Sequence, residues 1–321
     1  MTFILPVSIA IFISWLVLWA LLRTGRLPLD QPNARSLHRS PLPRGGGIAI
    51  WAGVLAGSVG SPQPWLAPLL LLVGVSLWDD RRGVSVLLRL AVQLVAALGW
   101  LWLGPPHAWL DLTLLVLAIV WMTNLYNFMD GSDGLAAMMT ILGFGAYAVA
   151  AGRAGLAAAP VIAAVVAATI PFLVLNWPPA RILLGDSGAV PLGFLAAVLG
   201  IGGWQAQRWP AWFPLLVFLP FIADATLTLG RRLLSGARVW RAHRDHYYQR
   251  LVRMGWGHHG ALAVYSTLML GTATSALAAL VHAPASGASV LGLWLAALLL
   301  LYAGIEYHWQ RVSKGLNESK C

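Results

Sequence analysis

Long apolar segments dominate this 321-residue sequence and constrain its fold more than any other feature. A helix needs about 20 apolar residues to cross a bilayer, and eleven segments reach or approach that length. They are 3–22, 45–61, 64–78, 86–103, 109–127, 135–151, 155–175, 188–204, 210–230, 261–282 and 287–308. Only 10% of the residues are charged, whereas soluble domains carry about 25%. The sequence therefore predicts an all-α polytopic membrane protein of about eleven transmembrane helices, and it excludes an ordinary soluble enzyme.

The basic residues predict how these helices are oriented. No basic residue precedes the first apolar segment, whereas Arg23 and Arg26 follow it, so we expect the N-terminus outside. With eleven alternating spans, 19 of the 21 Lys and Arg residues fall on the cytoplasmic side, together with the C-terminus. No repeat or soluble insertion interrupts the pattern, so residues 1–321 are predicted to form one domain. The net charge of +10 suits anionic lipid head groups, and no nucleic-acid partner is expected.

The scarce acidic residues gather at one predicted face of the membrane. Six of the eleven lie at or near cytoplasmic span ends: Asp79, Asp80, Asp130, Asp133, Asp186 and Asp224. Acids at membrane depth usually line a polar cavity with a function. Carboxylates beside many arginines suit Mg²⁺ and phosphate chemistry, because Mg²⁺ takes one or two carboxylates plus substrate phosphates. An ion-coupled transporter is the main alternative, although its acids would usually lie near the midplane; a non-catalytic scaffold is a third.

Asp79 and Asp80 end the third apolar segment, immediately before two arginines. Adjacent acids at a helix C-terminus repel each other and oppose the helix dipole. A bound cation offsets that repulsion, so the pair indicates a metal site. A salt-bridged loop is the structural alternative.

Four polar residues follow at three-residue intervals: Asn124, Asn127, Asp130 and Asp133. On one helix such a row would drift around half the circumference. The nearby Gly131 and Gly134 indicate instead that the helix ends there. We therefore expect the asparagines on the last turn and the aspartates on a tight turn, which together form a pocket wall. Helix capping is the alternative explanation.

Two glycine-containing stretches also suit phosphate binding. Gly185-Asp186-Ser187-Gly188 precedes an apolar helix, so Asp186 is either a metal ligand beside backbone amides or a helix N-cap. The first loop, 35–47, ends in Arg44 and three glycines, whose backbone allows close approach to a phosphate.

The longest loop carries the densest group of basic and histidine side chains. His243 and His246 are spaced to share a helical face, and Arg241, Arg244 and Arg250 offer phosphate contacts. A basic interfacial helix on anionic lipid is the alternative. The later pair, 258–259, is interpreted as incidental.

In this order, the segments resemble the polyprenyl-phosphate N-acetylhexosamine-1-phosphate transferase family over nearly the whole chain. Four stretches carry the resemblance: Asp79-Asp80, 124–136 with its Asn-x-x-Asn-Phe-Met-Asp-Gly-x-Asp-Gly pattern, 185–188, and the Pro-x-Pro-Arg-Gly-Gly-Gly of the first loop. Residues 221–232, with Asp224, look like the family's ninth-span signature. Many members carry His-x-His-His in the last large loop, where this chain has His246-Tyr247-Tyr248-Gln249. The wider pattern over 242–250, Ala-His-Arg-x-His-x-Tyr-Gln-Arg, looks like the O-antigen-initiating subgroup, whose donors include UDP-N-acetylfucosamine and UDP-N-acetylglucosamine. A muramoyl-pentapeptide-type transferase of peptidoglycan synthesis is weakened by this departure but stays an alternative.

The resemblance implies a function. A sugar-1-phosphate would pass from a UDP-N-acetylaminosugar to undecaprenyl phosphate in the bacterial inner membrane, with Mg²⁺ or Mn²⁺ as cofactor and a homodimer as an open possibility. It implies Asp186 as the leading metal ligand, assisted by Asp80 or Asp79, one of which takes a proton from the lipid phosphate. Direct attack and a covalent intermediate both remain open. The resemblance places Asn124, Asn127, Asp130 and Asp133 at the nucleotide, with Asp133 nearest the base, and Arg44, His243, Arg244, His246 and Arg250 near the donor phosphates or sugar.

Overall fold

A computed structural model describes residues 3–32, 37, 38, 40–61, 63–238 and 243–318, with side chains as far as residue 312. Arg241 and part of the first loop, including residues 35, 36 and 39, lie outside the described residues. The first eight helices are α1 (Ile4–Thr24), α2 (Gly46–Gly57), α3 (Leu66–Arg82), α4 (Val86–Trp102), α5 (Trp109–Phe128), α6 (Leu135–Met139), α7 (Gly145–Arg153) and α8 (Ala159–Asn176). The others are α9 (Asp186–Gln205), α10 (Trp212–Val217), α11 (Leu219–Leu234), α12 (Tyr247–Leu251), α13 (Gly257–His282) and α14 (Gly287–Glu318).

Three short helical turns and one small ladder complete the secondary structure of these residues. π-helical turns at Thr140–Phe144 and Val252–Trp256 lead into α7 and α13, and a 3₁₀ turn at Pro284–Ser286 precedes α14. Strands β1 (Leu29–Asp30) and β2 (Leu42–Pro43) pair antiparallel, with Leu29 opposite Pro43. The predicted all-α architecture is therefore confirmed except for this two-residue ladder.

The apolar segments fold into the predicted helices, with two departures. Within the described ranges, seven helical stretches are long and apolar enough to cross a membrane: Ile4–Thr24, Trp109–Phe128, Leu135–Arg153, Ala159–Asn176, Asp186–Gln205, Tyr247–His282 and Pro284–Val312. The expectation of one continuous helix over 210–230 is wrong, because α10 ends at Val217 and α11 begins at Leu219. Helix α2, with 12 residues, is about 18 Å long, shorter than the ~30 Å hydrocarbon core. Eleven crossings and the orientation stay predictions.

Helix α9 is the centre of the helical bundle. Sixteen of its 20 residues are buried, and it packs against α2, α3 and α5. Gly193 makes the α5 contact possible: a Cβ there would lie 2.5 Å from the Met122 carbonyl oxygen and 2.8 Å from the Tyr126 Cβ. By contrast, α1 exposes most of its apolar surface. The bundle therefore encloses α9, and the N-terminus of this helix is where the candidate site lies.

Candidate active site

The first loop is bound to the segment that precedes α9. The amides of Gly45 and Gly46 donate to the Leu183 carbonyl, and that of Gly47 donates to Leu184, at 2.9–3.1 Å. These glycine amides therefore have protein carbonyls as partners and are not available to a phosphate. Glycine is needed for packing, since a Cβ on Gly47 would lie 2.3 Å from the Gly188 nitrogen. The loop instead fixes Arg44 above the start of α9.

Asp80 caps the N-terminus of α9. Its two carboxylate oxygens accept from the amides of Asp186 and Ser187, each at 3.0 Å. The N-cap residue of α9 is Gly185, which has no side chain to do this, and its φ of 80° favours glycine. A Cβ on Gly185 would also lie 2.8 Å from the Asp80 carboxylate. From sequence, Asp186 was either a metal ligand or the N-cap. It is the first residue of the helix, and its carboxylate takes no part in capping.

Two arginines join three carboxylates at this point. Arg44 contacts Asp80 through Nε at 3.4 Å and Asp186 through Nη2 at 3.1 Å. Nη1 of Arg89 lies 3.2 Å from Asp79 and 3.4 Å from Asp186. Burial disfavours the charged guanidinium of Arg44, but Asp186 and Asp80 outweigh it and raise its pKa. The structure thus brings Asp79, Asp80 and Asp186 together, as the sequence predicted, around the guanidinium groups of Arg44 in the first loop and Arg89 in the first turn of α4.

The donor set fits a hard divalent cation. All the acidic ligands are carboxylate oxygens, and Oδ2 of Asp79 is buried without a hydrogen bond, although Arg89 lies within ion-pair distance. No group of three His, Cys, Asp or Glu side chains in the described part of the chain has the geometry of a complete metal site. Mg²⁺ does not require one, because substrate phosphates complete its coordination. Asp186 and Asp79 are the side chains that would hold it.

The structure confirms the helix end and the turn predicted from the row of polar residues between Asn124 and Asp133, whereas the pocket wall stays a prediction. Helix α5 ends at Phe128, so Asn127 lies on its last turn and the two aspartates lie in the turn 129–134. Asn124 lies one turn earlier, where its Nδ2 donates to Gln93 of α4 at 2.7 Å. Partial burial, with the charges of Asp186 and Asp80, raises the pKa of Asp130 against the opposing effect of Arg44. Asp130 therefore lies within electrostatic reach of the three-carboxylate cluster.

Asp133 is fixed at the far end of this turn. Its Oδ2 accepts from the Ala180 amide at 3.0 Å, and its own amide donates to Nδ1 of His258 at 3.2 Å. His258 also lies 3.4 Å from Oδ1 of Asp133. The interpretation of His258 as incidental is therefore wrong. Asn176 accepts from the Gly134 amide and donates to the Ile182 carbonyl, both at 2.8 Å, and so ties this turn to the loop before α9.

The histidine-rich segment packs against the other side of the same turn. The ring of His246 stacks on Phe128 at 6.2 Å and on His243 at 5.0 Å. Burial, with His246 and Arg232 nearby, lowers the pKa of His243 to about 4, so this imidazole is neutral at physiological pH. Arg250 donates to Glu306 and to the Asp245 carbonyl, and not to Asp79, Asp80 or Asp186. The backbone carbonyl of Arg244 accepts from Arg253 at 2.9 Å.

Comparison with known proteins identifies the family. The sequence profile of glycosyl transferase family 4 matches residues 63–203. A decaprenyl-phosphate N-acetylglucosaminephosphotransferase of Mycobacterium leprae is 30% identical over 284 residues, which cover 71% of this chain and 70% of the relative. The chain belongs to glycosyl transferase family 4. The resemblance inferred from the motifs is confirmed, and this multi-pass membrane protein is an enzyme of the sugar-1-phosphate transferase class.

Two further relatives match a larger share of this chain. An undecaprenyl-phosphate alpha-N-acetylglucosaminyl 1-phosphate transferase of Yersinia pestis is 27% identical over 311 residues, covering 87% of this chain and 82% of the relative. A Bacillus subtilis (strain 168) protein described as "Probable undecaprenyl-phosphate N-acetylglucosaminyl 1-phosphate transferase" is 28% identical over 260 residues, covering 74% and 73%. Membership removes the transporter and scaffold alternatives.

Three residues of the candidate site were missed from sequence: Arg89, Asn176 and His258. Arg89 carried a usable signal, since it is the one charged residue in the apolar segment 86–103 and charges inside spans are usually functional. Asn176 and His258 carried none, because each acts on the 129–134 turn from a position at least 40 residues away in sequence.

Proposed function

We propose that this protein transfers an N-acetylaminosugar 1-phosphate from a UDP-sugar to undecaprenyl phosphate. The products are undecaprenyl-diphosphate-sugar and UMP, and the reaction is the first membrane step of an O-antigen-like surface glycan. An acceptor-phosphate oxygen bonds to the β-phosphorus of the donor. The bond from that phosphorus to the oxygen bridging the two phosphates breaks, and UMP leaves with the bridging oxygen. The printed names of the relatives support the polyprenyl-phosphate acceptor and the N-acetylglucosamine 1-phosphate group.

The observation that carries the proposal is the junction of Asp79, Asp80 and Asp186 with Arg44 and Arg89. Phosphoryl transfer depends on positioning and on neutralising the charge of the phosphate oxygens. Two fixed guanidiniums provide part of that neutralisation. The carboxylates supply oxygen ligands for a divalent cation and a group that accepts a proton from the lipid phosphate.

The hydrogen bonds favour different roles for the three carboxylates. Both oxygens of Asp80 accept from backbone amides of α9, so we assign it to positioning. Asp186 and Asp79 are assigned to Mg²⁺, with Asp186 as the leading ligand. Bound there, Mg²⁺ would withdraw charge from the donor diphosphate. We also assign to Asp79 the proton of the lipid phosphate, because no hydrogen bond occupies its Oδ2.

The 124–134 wall is assigned to the nucleotide. Asp130 lies within electrostatic reach of the carboxylate cluster. We place Asn127 beside the nucleotide as well, and Asp133, at the far end of the row, beside the base. His243, His246 and Arg244 are assigned to the donor phosphates or sugar, and Arg250 supports their segment through Glu306. The proposed orientation keeps both termini as predicted, with this site at the cytoplasmic face of the bacterial inner membrane.

The test uses purified protein, undecaprenyl phosphate and a panel of UDP-sugars that includes UDP-N-acetylglucosamine, UDP-N-acetylfucosamine and UDP-muramoyl-pentapeptide. We expect metal-dependent UMP release with at least one aminosugar donor, and loss of more than about 100-fold in Asp186→Asn, since a metal ligand acts on the transition state. Asp111→Asn is the matched control, because Asp111 is exposed in the first turn of α5, far from the cluster in sequence. Absence of UMP release with every donor, or a fully active Asp186→Asn, would contradict the proposal.

A further inference from the structure

Asp224, in α11, is a buried carboxylate that the proposed reaction does not use. It has no solvent exposure. A buried charge is tolerated only when hydrogen bonds satisfy it, and five donors surround this one. They are Nδ1 of His246, the amides of Tyr247 and Tyr248, and the hydroxyls of Thr228 and Tyr265.

Three of these five donors belong to one short stretch of chain. Nδ1 of His246 and the Tyr247 amide lie 3.1 Å from Oδ1 of Asp224, and the Tyr248 amide lies 3.0 Å from Oδ2. The stretch is the beginning of α12, whose first amides have no partner within the helix. Asp224 therefore holds both the histidine ring and the backbone that carries it.

The contact with Asp224 also decides which nitrogen of His246 carries hydrogen. His246 is the N-cap of α12, and a bare Nδ1 there would accept from the Gln249 amide. The same nitrogen can donate to Asp224 only when it is protonated, so the two uses exclude each other. Because a lone pair facing a buried carboxylate is repulsive, Asp224 selects the ring with hydrogen on Nδ1. Nε2 then remains the acceptor atom of the neutral ring.

The segment held by Asp224 reaches the proposed nucleotide wall. The Tyr248 hydroxyl donates to the Phe128 carbonyl at 3.0 Å, and the His246 ring stacks on Phe128. No space separates the two parts, because a Cβ on Gly131 would lie 2.2 Å from the Tyr248 hydroxyl oxygen. A shift of α12 would therefore move the turn that carries Asp130.

We propose that Asp224 is a positioning residue that fixes the tautomer of His246 and the placement of α12 against the 129–134 turn. Its part in donor binding rests on the proposed function, but its effect on His246 does not. Asp224 touches no reacting atom. It acts through His246, whose neutral ring then has Nε2 as its acceptor atom.

The tautomer is measured directly by ¹⁵N NMR of the full-length protein in nanodiscs, with labelled histidine. The chain has eight histidines, and the His246 signals are identified by their loss in His246→Gln. We expect the wild-type neutral ring to be protonated on Nδ1, and Asp224→Asn to lose this preference. Tyr265→Phe is the matched control, since it removes a different donor to the same carboxylate and should leave the His246 signals unchanged.

A wild-type ring that carries its hydrogen on Nε2 overturns the proposal, and this result needs no variant to fold. An Asp224→Asn protein that keeps the wild-type His246 signals also overturns the proposal. In kinetics with UDP-N-acetylglucosamine, we expect Asp224→Asn to raise KM about tenfold, the value of one hydrogen bond, with kcat changed by less than about threefold. A wild-type protein without turnover on any donor would refute the proposed function alone, because the NMR measurement requires no substrate.

Discussion

Replacing Asp80 and Asp79 separately by Asn tests whether Asp80 stabilises the start of α9 while Asp79 serves the reaction. The Asp80 side chain is 3% exposed and accepts from two backbone amides and from Arg44. An Asn carbonyl can accept from only one of those amides, so the other is left facing an NH₂ group. A buried unsatisfied donor together with a lost charge-assisted bond costs about 2–3 kcal/mol.

Asp79→Asn should cost much less stability. Its bond from the Val84 amide, 2.7 Å long, survives in Asn. The lost partner is Arg89, which is 35% exposed, and pairs with such exposure contribute below about 1 kcal/mol. We therefore expect Asp79→Asn to lose UMP release while its stability stays close to that of wild type. Asp80→Asn should instead show a clear loss of stability.

Thermal unfolding followed by fluorescence of the 17 tryptophans, in one detergent for all variants, measures the difference. We expect the Tm of Asp80→Asn to fall by about 4 °C, from the size scaling of unfolding entropy. The Tm of Asp79→Asn should stay within about 2 °C of wild type. Equal Tm values for Asp80→Asn and wild type, or an equal fall in both variants, would refute the assignment of Asp80 to capping.

Three further predictions concern packing, pH and the C-terminal helix. Gly193→Ala should destabilise by more than about 2 kcal/mol because its Cβ meets the α5 backbone, whereas Gly99→Ala, with open space around it, should not; Tm values compare them. The pKa of His243 falls from its ordinary 6.5 to about 4 on folding, so the unfolded chain binds the proton first and stability is lost as pH falls through that window. Between pH 7 and 4.5, the Tm of His243→Gln should therefore fall less than that of wild type. Glu306→Gln should destabilise by about 2 kcal/mol, since Glu306 pairs with both Arg231 and Arg250, and an unchanged Tm would contradict this.

Local patterns were sufficient to predict the helices and part of the site. The three-residue spacing from Asn124 to Asp133, with its two glycines, predicted both the end of α5 and the turn that follows, because each depends on neighbouring residues alone. The break between α10 and α11 was missed because the segment is apolar on both sides of Phe218. Apolar composition predicts burial in lipid or protein, but it does not report where a helix is interrupted.

The partners of the site residues could not be predicted in the same way. Asp80 meets the amides of α9 across more than 100 residues, and the three glycine amides of the first loop bind carbonyls near residue 183. Such pairings depend on how the helices pack, and the local sequence pattern around each residue does not predict that packing. The motifs pointed to carboxylates that the structure brings together, whereas only the hydrogen bonds show which of these groups already have protein partners.

Asp80 and Asp224 share one structural device, which separates them from the other acids of the site. Each comes from a neighbouring helix and accepts, through its two oxygens, the first two amides of a helix that carries site residues: Asp186 and Ser187 for α9, Tyr247 and Tyr248 for α12. Those amides need a partner, because all four residues are buried and the first amides of a helix have none within it. Neither local N-cap supplies it, since Gly185 has no side chain and the Nδ1 of His246 contacts Asp224 itself. Carboxylates held in this way are poor candidates for binding a metal or accepting a proton, which supports the proposed assignment of those roles to Asp79 and Asp186.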